Sequence, residues 1–155
     1  MDWDEDEQVW HDQECVKETG DEELCYCLID ECESGDHACK SYDNLDRDIK
    51  LLVDLNVKMY RFSLSWPRLM PDGKNPNPNK ASLNYYNSLI DSLLENGITP
   101  MVTLYHWDLP IALAKGDRLD LNACHGWDCK DIIEEYANYA DYCFEQFGDR
   151  VKPRF

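Results

Sequence analysis

The side chains best suited to chemistry are His106, Trp107 and Arg61. The first two stand in Tyr105-His106-Trp107-Asp108, at the end of the apolar run Ile98 to Tyr105. An indole can stack on the apolar face of a sugar while an imidazole hydrogen-bonds a hydroxyl. A core tryptophan beside a histidine satisfied within the fold accounts for the same pair, and for an isolated pair that plainer reading is favoured. Arg61 stands in Val57 to Ser65. Side chains alternate along a strand, so Tyr60, Phe62, Leu64 and Trp66 share one face and Met59, Arg61, Ser63 and Ser65 the other. If the apolar face meets helices, Arg61 looks into the interior. An unpaired guanidinium there is too costly to desolvate, so a carboxylate partner is required. That partner is either an active-site carboxylate or half of a structural ion pair, and the pattern weights the two evenly.

Eight cysteines form the next chemical set: Cys15, Cys25, Cys27, Cys32, Cys39, Cys124, Cys129 and Cys143. An even, high count points to disulfides and to a secreted or extracellular setting. The start, Met1-Asp2-Trp3-Asp4-Glu5-Asp6, has neither a basic segment nor an apolar core, so no signal peptide is visible. A missing true N-terminus would reconcile the two, and the compartment stays open. Cys25, Cys27 and Cys32 lack the paired C-x2-C spacing of a structural zinc site, so no metal is expected. Cys143, on the apolar face of a predicted helix, reads as a buried thiol. No cofactor is implied.

The elements that must position these residues begin at residue 43. Leu45, Ile49, Leu52, Val53 and Asn56 follow helical spacing, with Asp43 or Asn44 as cap. Val57 to Ser65 is a predicted strand, and Pro67, Pro71, Asp72, Gly73 and Asn75 to Asn79 mark a loop. A second helix runs from about Leu83 to Asn96 with the stripe Tyr86, Leu89, Ile90, Leu93 and Leu94. Gly97 is placed to end it in a left-handed conformation. Ile98 to Tyr105 is apolar enough for a parallel strand buried on both faces. Asp108-Leu109-Pro110 opens a short helix to about Lys115, and residues 116–129 form a polar loop. A third helix carries Ile132, Ile133, Tyr136, Ala140, Cys143, Phe144 and Phe147 inward and closes at Gly148, and Val151 would begin a further strand.

Strands alternating with helices imply an α/β fold with parallel strands and right-handed crossovers. The two complete strands begin about forty residues apart. Eight such units need roughly 320 residues, within the range of a (β/α)8 barrel. The chain has 155, so a partial barrel is expected. A doubly wound sheet shares the alternation, but no glycine-rich phosphate fingerprint follows either strand.

Net charge is −17, and residues 1–36 hold fifteen Asp and Glu against Lys17 alone. The remainder carries seventeen acidic and fourteen basic residues, close to balance. The expected organisation is an acidic, poorly ordered cysteine-containing tail over 1–35 and a barrel segment over 36–155. Such a tail repels phosphate backbones and argues against nucleic-acid partners. No apolar run approaches the roughly 18 residues of a membrane span. Two or three strands alone leave open edges, through which self-association is expected.

Several motifs in order resemble glycoside hydrolase family 1, the β-glucosidase family. Tyr60-Arg-Phe-Ser-Leu-Ser-Trp66-Pro-Arg68 with Pro71-Asp-Gly73 resembles its second-strand motif. Tyr85-Tyr86-Asn87, Leu89 to Leu94 and Gly97-Ile98-Thr-Pro100 match the helix and turn that follow. Val102 to Pro110 resembles the third-strand motif, and Tyr139 to Lys152 the third helix and the lead into strand four. Asp36 to Asp48 is similar to the first helix region. The wording is nearest the animal lactase/phlorizin-hydrolase and klotho-like branch. The resemblance implies about strands two and three of a TIM barrel with flanking helices and the start of strand four. It implies that Arg61 contacts the nucleophilic glutamate and that His106 and Trp107 line the glycone subsite for a β-glycoside. Retaining glycosidases use two carboxylates roughly 5–5.5 Å apart. The family's acid/base glutamate, in an Asn-Glu-Pro motif just after strand four, and its later nucleophile have no counterpart here. The first strand with its sugar-binding glutamine is unrecognisable in residues 1–35. The insertion Asp117 to Asn122 and the cysteines Cys124 and Cys129 depart from the family pattern near the aglycone entrance. The chain is therefore expected to be an inactive fragment of a retaining β-glycosidase, or of a non-catalytic klotho-like binding protein.

Overall fold

A computed structural model describes residues 38–74, 80–114 and 126–152, together with the backbone of four short strands between residues 2 and 27. The chain divides into two units, Met1–Asp43 and Asn44–Phe155. In the first unit Asp2–Asp4 (β1) pairs antiparallel with Val9–His11 (β2), and Gln13–Val16 (β3) with Leu24–Cys27 (β4). Cys15 lies opposite Cys25 in the second of these ladders. The zinc question at Cys32, the loop at 75–79, the insertion at 117–122 and Cys124 all lie outside the described residues.

The second unit is a strand–helix–strand core. Leu45–Asp54 (α1) leads into Met59–Ser63 (β5), and Lys80–Glu95 (α3) into Thr99–Thr103 (β6). The two strands pair in parallel, Met59 opposite Thr99 through Ser63 opposite Thr103. Parallel pairing needs a long crossover, which α3 supplies. Each helix passes into its strand through the same turn. Gly97 has φ +70°, its amide bonds Leu94 and the Ile98 amide reaches back to Leu93. Asn56 repeats this with φ +55°, bonding Val53, while Val57 bonds Leu52. These are Schellman turns, in which a left-handed residue lets two amides satisfy the last carbonyls of a helix. Asn56 therefore ends α1 instead of extending its stripe. Asn44 takes the N-cap position, but its side chain makes no capping hydrogen bond.

Helix α3 lies between two apolar clusters. Leu89 and Leu93 pack with Ile49 and Ile98, whereas Tyr86 and Ile90 pack with Leu64, Trp66 and Val102. The second cluster is completed by Ile132–Phe147 (α5) through Ile132, Tyr139, Tyr142, Cys143 and Phe147. Each fully buried aliphatic side chain contributes roughly 1.5–3 kcal/mol. The phase of α5 differs from the sequence reading. Ile133 and Phe144 are exposed, and Tyr139 and Tyr142 are buried in their place. Ile132, Tyr139, Cys143 and Phe147 are spaced seven, four and four apart and define one stripe; Ile133 and Phe144 fall one residue beyond it. Leu94 is likewise exposed, beside the buried Leu93.

Three further expectations change. Trp66–Leu69 (α2) is a short helix inside the predicted loop, begun by Ser65 with Pro67 in its first turn, where a missing amide costs nothing. The short helix Ile111–Ala114 (α4) does follow Pro110. Val151 is buried, but its amide bonds Phe147, so it closes α5 and begins no strand among the described residues. Burial of β6 is incomplete on one face: Pro100, Val102 and Thr103 are buried, while Thr99 is exposed and Met101 half-buried. Thr99 and Met101 share the open face with Met59 and Arg61, which nothing covers among the described residues.

Beyond α5, Arg150 reaches back to α3. Its guanidinium donates to Asp91 at 2.7 Å, Asn87 at 2.6 Å and the Gln146 carbonyl at 3.1 Å. Arg150→Met removes these charge-assisted bonds and should cost about 1–2 kcal/mol in urea unfolding. An unchanged midpoint would show that α5 docks through its apolar face alone. Burial also raises Tyr86 and Cys143 to about 12, against ordinary values of 10.0 and 9.0. Both are neutral when protonated, so the folded state retains protons that the unfolded chain releases. Stability should be complete below about pH 9 and fall as pH rises toward about 12. Urea midpoints across that range, with tyrosinate absorbance, would check it. A flat profile would place both groups in solvent.

Candidate functional site

The C-terminal ends of β5 and β6 lie side by side, and a buried tyrosine hydroxyl holds each. Tyr86 on α3 accepts the Ser65 amide at 2.9 Å, fixing the exit from β5. Tyr139 on α5 donates to the Leu104 carbonyl at 2.8 Å, fixing the exit from β6. The Tyr139 ring stacks on Trp66 with centroids 4.8 Å apart and planes within 10°. Burial pushes the Tyr139 hydroxyl well above its ordinary value, with the neighbouring Cys143 adding to the rise, so it remains a donor. The Cys143 thiol is buried and protonated, which makes it a packing group and not a nucleophile.

Arg61 is exposed on the open face of β5, and its Nε donates to Thr103 Oγ1 at 2.8 Å. Among the described residues this hydroxyl is its hydrogen-bond partner, and no ion pair with a carboxylate is formed. The premise of a desolvated guanidinium does not hold where the face is open to water. His106 is exposed, and its amide donates to Asp108 Oδ1 at 3.3 Å. Trp107 is 84% exposed and has φ +75°, a region L-residues rarely adopt. The Leu109 amide returns to the Trp107 carbonyl at 3.2 Å and closes this turn. His106 and Trp107 lie beyond the C-terminal end of β6 and Arg61 midway along β5 opposite Met101, and no hydrogen bond or ring contact joins the three.

A 3-10 turn, Gly126–Asp128, packs on this segment. Trp127 donates from its indole nitrogen to the Tyr105 hydroxyl at 3.0 Å, with the rings edge to face at 4.8 Å. Trp127 also contacts Tyr136 and Trp66. Sequence patterning did not single out Trp127, because it lies outside any periodic stripe. Its Gly126-Trp127 pairing beside Cys129 was the available signal. Cys129 is disulfide-bonded. The Trp66 indole nitrogen is buried with no hydrogen-bond partner among the described residues.

The family model for Glycosyl hydrolase family 1 matches residues 26–155. The chain belongs to glycosyl hydrolase family 1. It is 54% identical over 119 residues to lactase/phlorizin hydrolase of Rattus norvegicus, covering 77% of this chain and 6% of that protein. It is 48% identical over 121 residues to β-glucosidase A of Thermotoga maritima, covering 77% of this chain and 25% of the relative. A solved structure of the Thermotoga maritima β-glucosidase in complex with deoxynojirimycin superposes with TM-score 0.71 at 45% identity, over 82% of this chain and 27% of the other. This family 1 chain therefore spans about a quarter or less of the length of these relatives. Among its described residues no cluster of three or more His, Cys, Asp or Glu is arranged to hold a metal, and no helix is long and apolar enough to cross a membrane.

Trp107 allows a direct test of the turn. The left-handed backbone costs an L-residue roughly 1–2 kcal/mol, and an exposed indole returns little packing. Trp107→Gly should leave thermal stability unchanged or raise it by about 1 kcal/mol. A clear loss would show that the indole is packed within the fold.

Proposed function

We propose that this chain forms part of the glycone subsite of a retaining β-glycosidase that hydrolyses O-glycosyl bonds. His106 bonds sugar hydroxyls, Trp107 stacks on the sugar, and Arg61 supports the nucleophilic carboxylate. The observation that carries this reading is Trp107: 84% exposed, φ +75°, beside His106 at the end of a parallel strand in a family 1 chain. A large apolar side chain held exposed on a disfavoured backbone is a feature of ligand sites. Family 1 membership supplies the reaction class, and the β-glucosidase bound to deoxynojirimycin supplies a probe chemistry. On this reading residues 36–155 are strands two and three of a (β/α)8 barrel with the approach to strand four, and residues 1–35 are an acidic appendage. The open faces and edges of β5 and β6 favour self-association of the isolated chain.

Neither of the two carboxylates required by the retaining reaction is assigned to this chain, and Arg61 and Thr103 cannot replace a nucleophile and an acid. The purified chain should bind deoxynojirimycin weakly and release no phenol from an aryl β-glucoside above buffer. Trp107→Ala should weaken that binding roughly fivefold, the value of about 1 kcal/mol for one stacking contact. Hydrolysis by the chain would overturn the assignment of the carboxylates elsewhere. Equal binding by wild type and Trp107→Ala would overturn the subsite. A full-length protein that binds sugar without hydrolysing it would place the chain in a klotho-like binding protein instead.

A further inference from the structure

One turn touches both ends of the segment that carries His106 and Trp107. At one end, Trp127 donates its indole N–H to the Tyr105 hydroxyl at 3.0 Å and packs edge to face on the ring at 4.8 Å. At the other, Gly126 is buried against Leu109, so closely that an added Cβ would meet Leu109 Cδ2 at 2.9 Å. The three residues between Tyr105 and Leu109 include the left-handed Trp107, and one backbone return, from Leu109 to Trp107, closes the turn. That return and the His106 amide bond to Asp108 Oδ1 at 3.3 Å are the segment's own bonds, and the contacts of the turn add to them. The clamping turn is itself fixed twice. The Cys129 amide bonds the Gly126 carbonyl at 3.1 Å, and Cys129 is tied by a disulfide. Trp127 is in turn backed by Tyr136, with ring centroids 5.7 Å apart.

We propose that Gly126–Asp128 is a positioning clamp, in which Trp127 and Gly126 hold Tyr105 to Leu109 so that His106 and Trp107 are presented to the sugar. This rests on the subsite reading above for its ligand, but not for its geometry. Trp127 is a positioning residue, acting through Tyr105. Gly126 suits the turn because its φ of +52° is one that L side chains rarely adopt, and an added Cβ would also press on Leu109 Cδ2. The disulfide at Cys129 anchors the C-terminal side of the clamp.

Three variants of the full chain test the clamp. Trp127→Phe keeps a ring and loses the N–H; Tyr105→Phe loses the acceptor; Gly126→Ala drives the turn off Leu109. Hydrogen exchange of the peptide spanning 104–109 should quicken about tenfold in each, with the peptide spanning α3 unchanged, which separates local release from misfolding. Affinity for deoxynojirimycin should fall about fivefold in Trp127→Phe and in Tyr105→Phe, and no further in the double variant, because both remove one bond. Additive losses in the double variant, or unaltered exchange at 104–109, would overturn the clamp. Exchange quickening in a chain whose wild type binds no iminosugar would sustain the clamp and overturn the subsite reading instead.

Discussion

The hydrogen bond from the buried Tyr139 hydroxyl to the Leu104 carbonyl is the contact on which the site most depends. Its donor comes from α5 and its acceptor lies just beyond β6, while the same ring stacks on Trp66 at the start of α2. One side chain therefore ties together three segments distant in sequence. The bond lies where water cannot compete, so losing either partner would strand a polar group in the core. Tyr86 repeats the device from α3, with its hydroxyl accepting the Ser65 amide. Without these tethers both strands would end in open carbonyls and amides, and the residues beyond them would have no fixed origin.

Backbone geometry reaches the same strand ends from the opposite side. The Schellman turns at Asn56 and Gly97 end the helices three residues before Met59 and two before Thr99, the pair that opens the register. In a strand, a slip of one residue exchanges faces. Such a slip in β5 would bury Arg61 among Tyr86, Ile90 and Val102 and expose Phe62. Packing of Tyr60 and Phe62 against the core thus keeps Arg61 on the open face, where its Nε bonds Thr103.

Patterning exposed the helix–strand alternation because helical and strand periods differ sharply and the core stripes are long. It placed Gly97 at a left-handed position, since few other residues suit that conformation. It assigned Asn56 to a helix stripe because asparagine is an uncommon terminator and the apolar spacing runs up to it. It misjudged α5 because tyrosine counts weakly as apolar, so Ile133 and Phe144 outweighed Tyr139 and Tyr142. Of the candidate site, the family motif singled out Arg61, which the residues alone left balanced, and His106 and Trp107, for which they favoured the plainer reading. It could not reveal the contact of Trp127 with Tyr105, which joins residues 22 apart across a non-periodic stretch.

Arg61 shows how the open face limits what these residues can do alone. Thr103 accepts one of its five N–H donors, and the side chain is otherwise exposed, a setting in which a guanidinium does not require a carboxylate. Any element laid over Met59, Arg61, Thr99 and Met101 would remove that exposure. It would then have to bring acceptors of its own, because one hydroxyl cannot compensate a buried guanidinium. A carboxylate is the acceptor that matches both its charge and its forked geometry. The demand inferred from sequence is thus conditional: burial of the open face creates it, and Arg61 selects for a carboxylate among the segments that could cover that face.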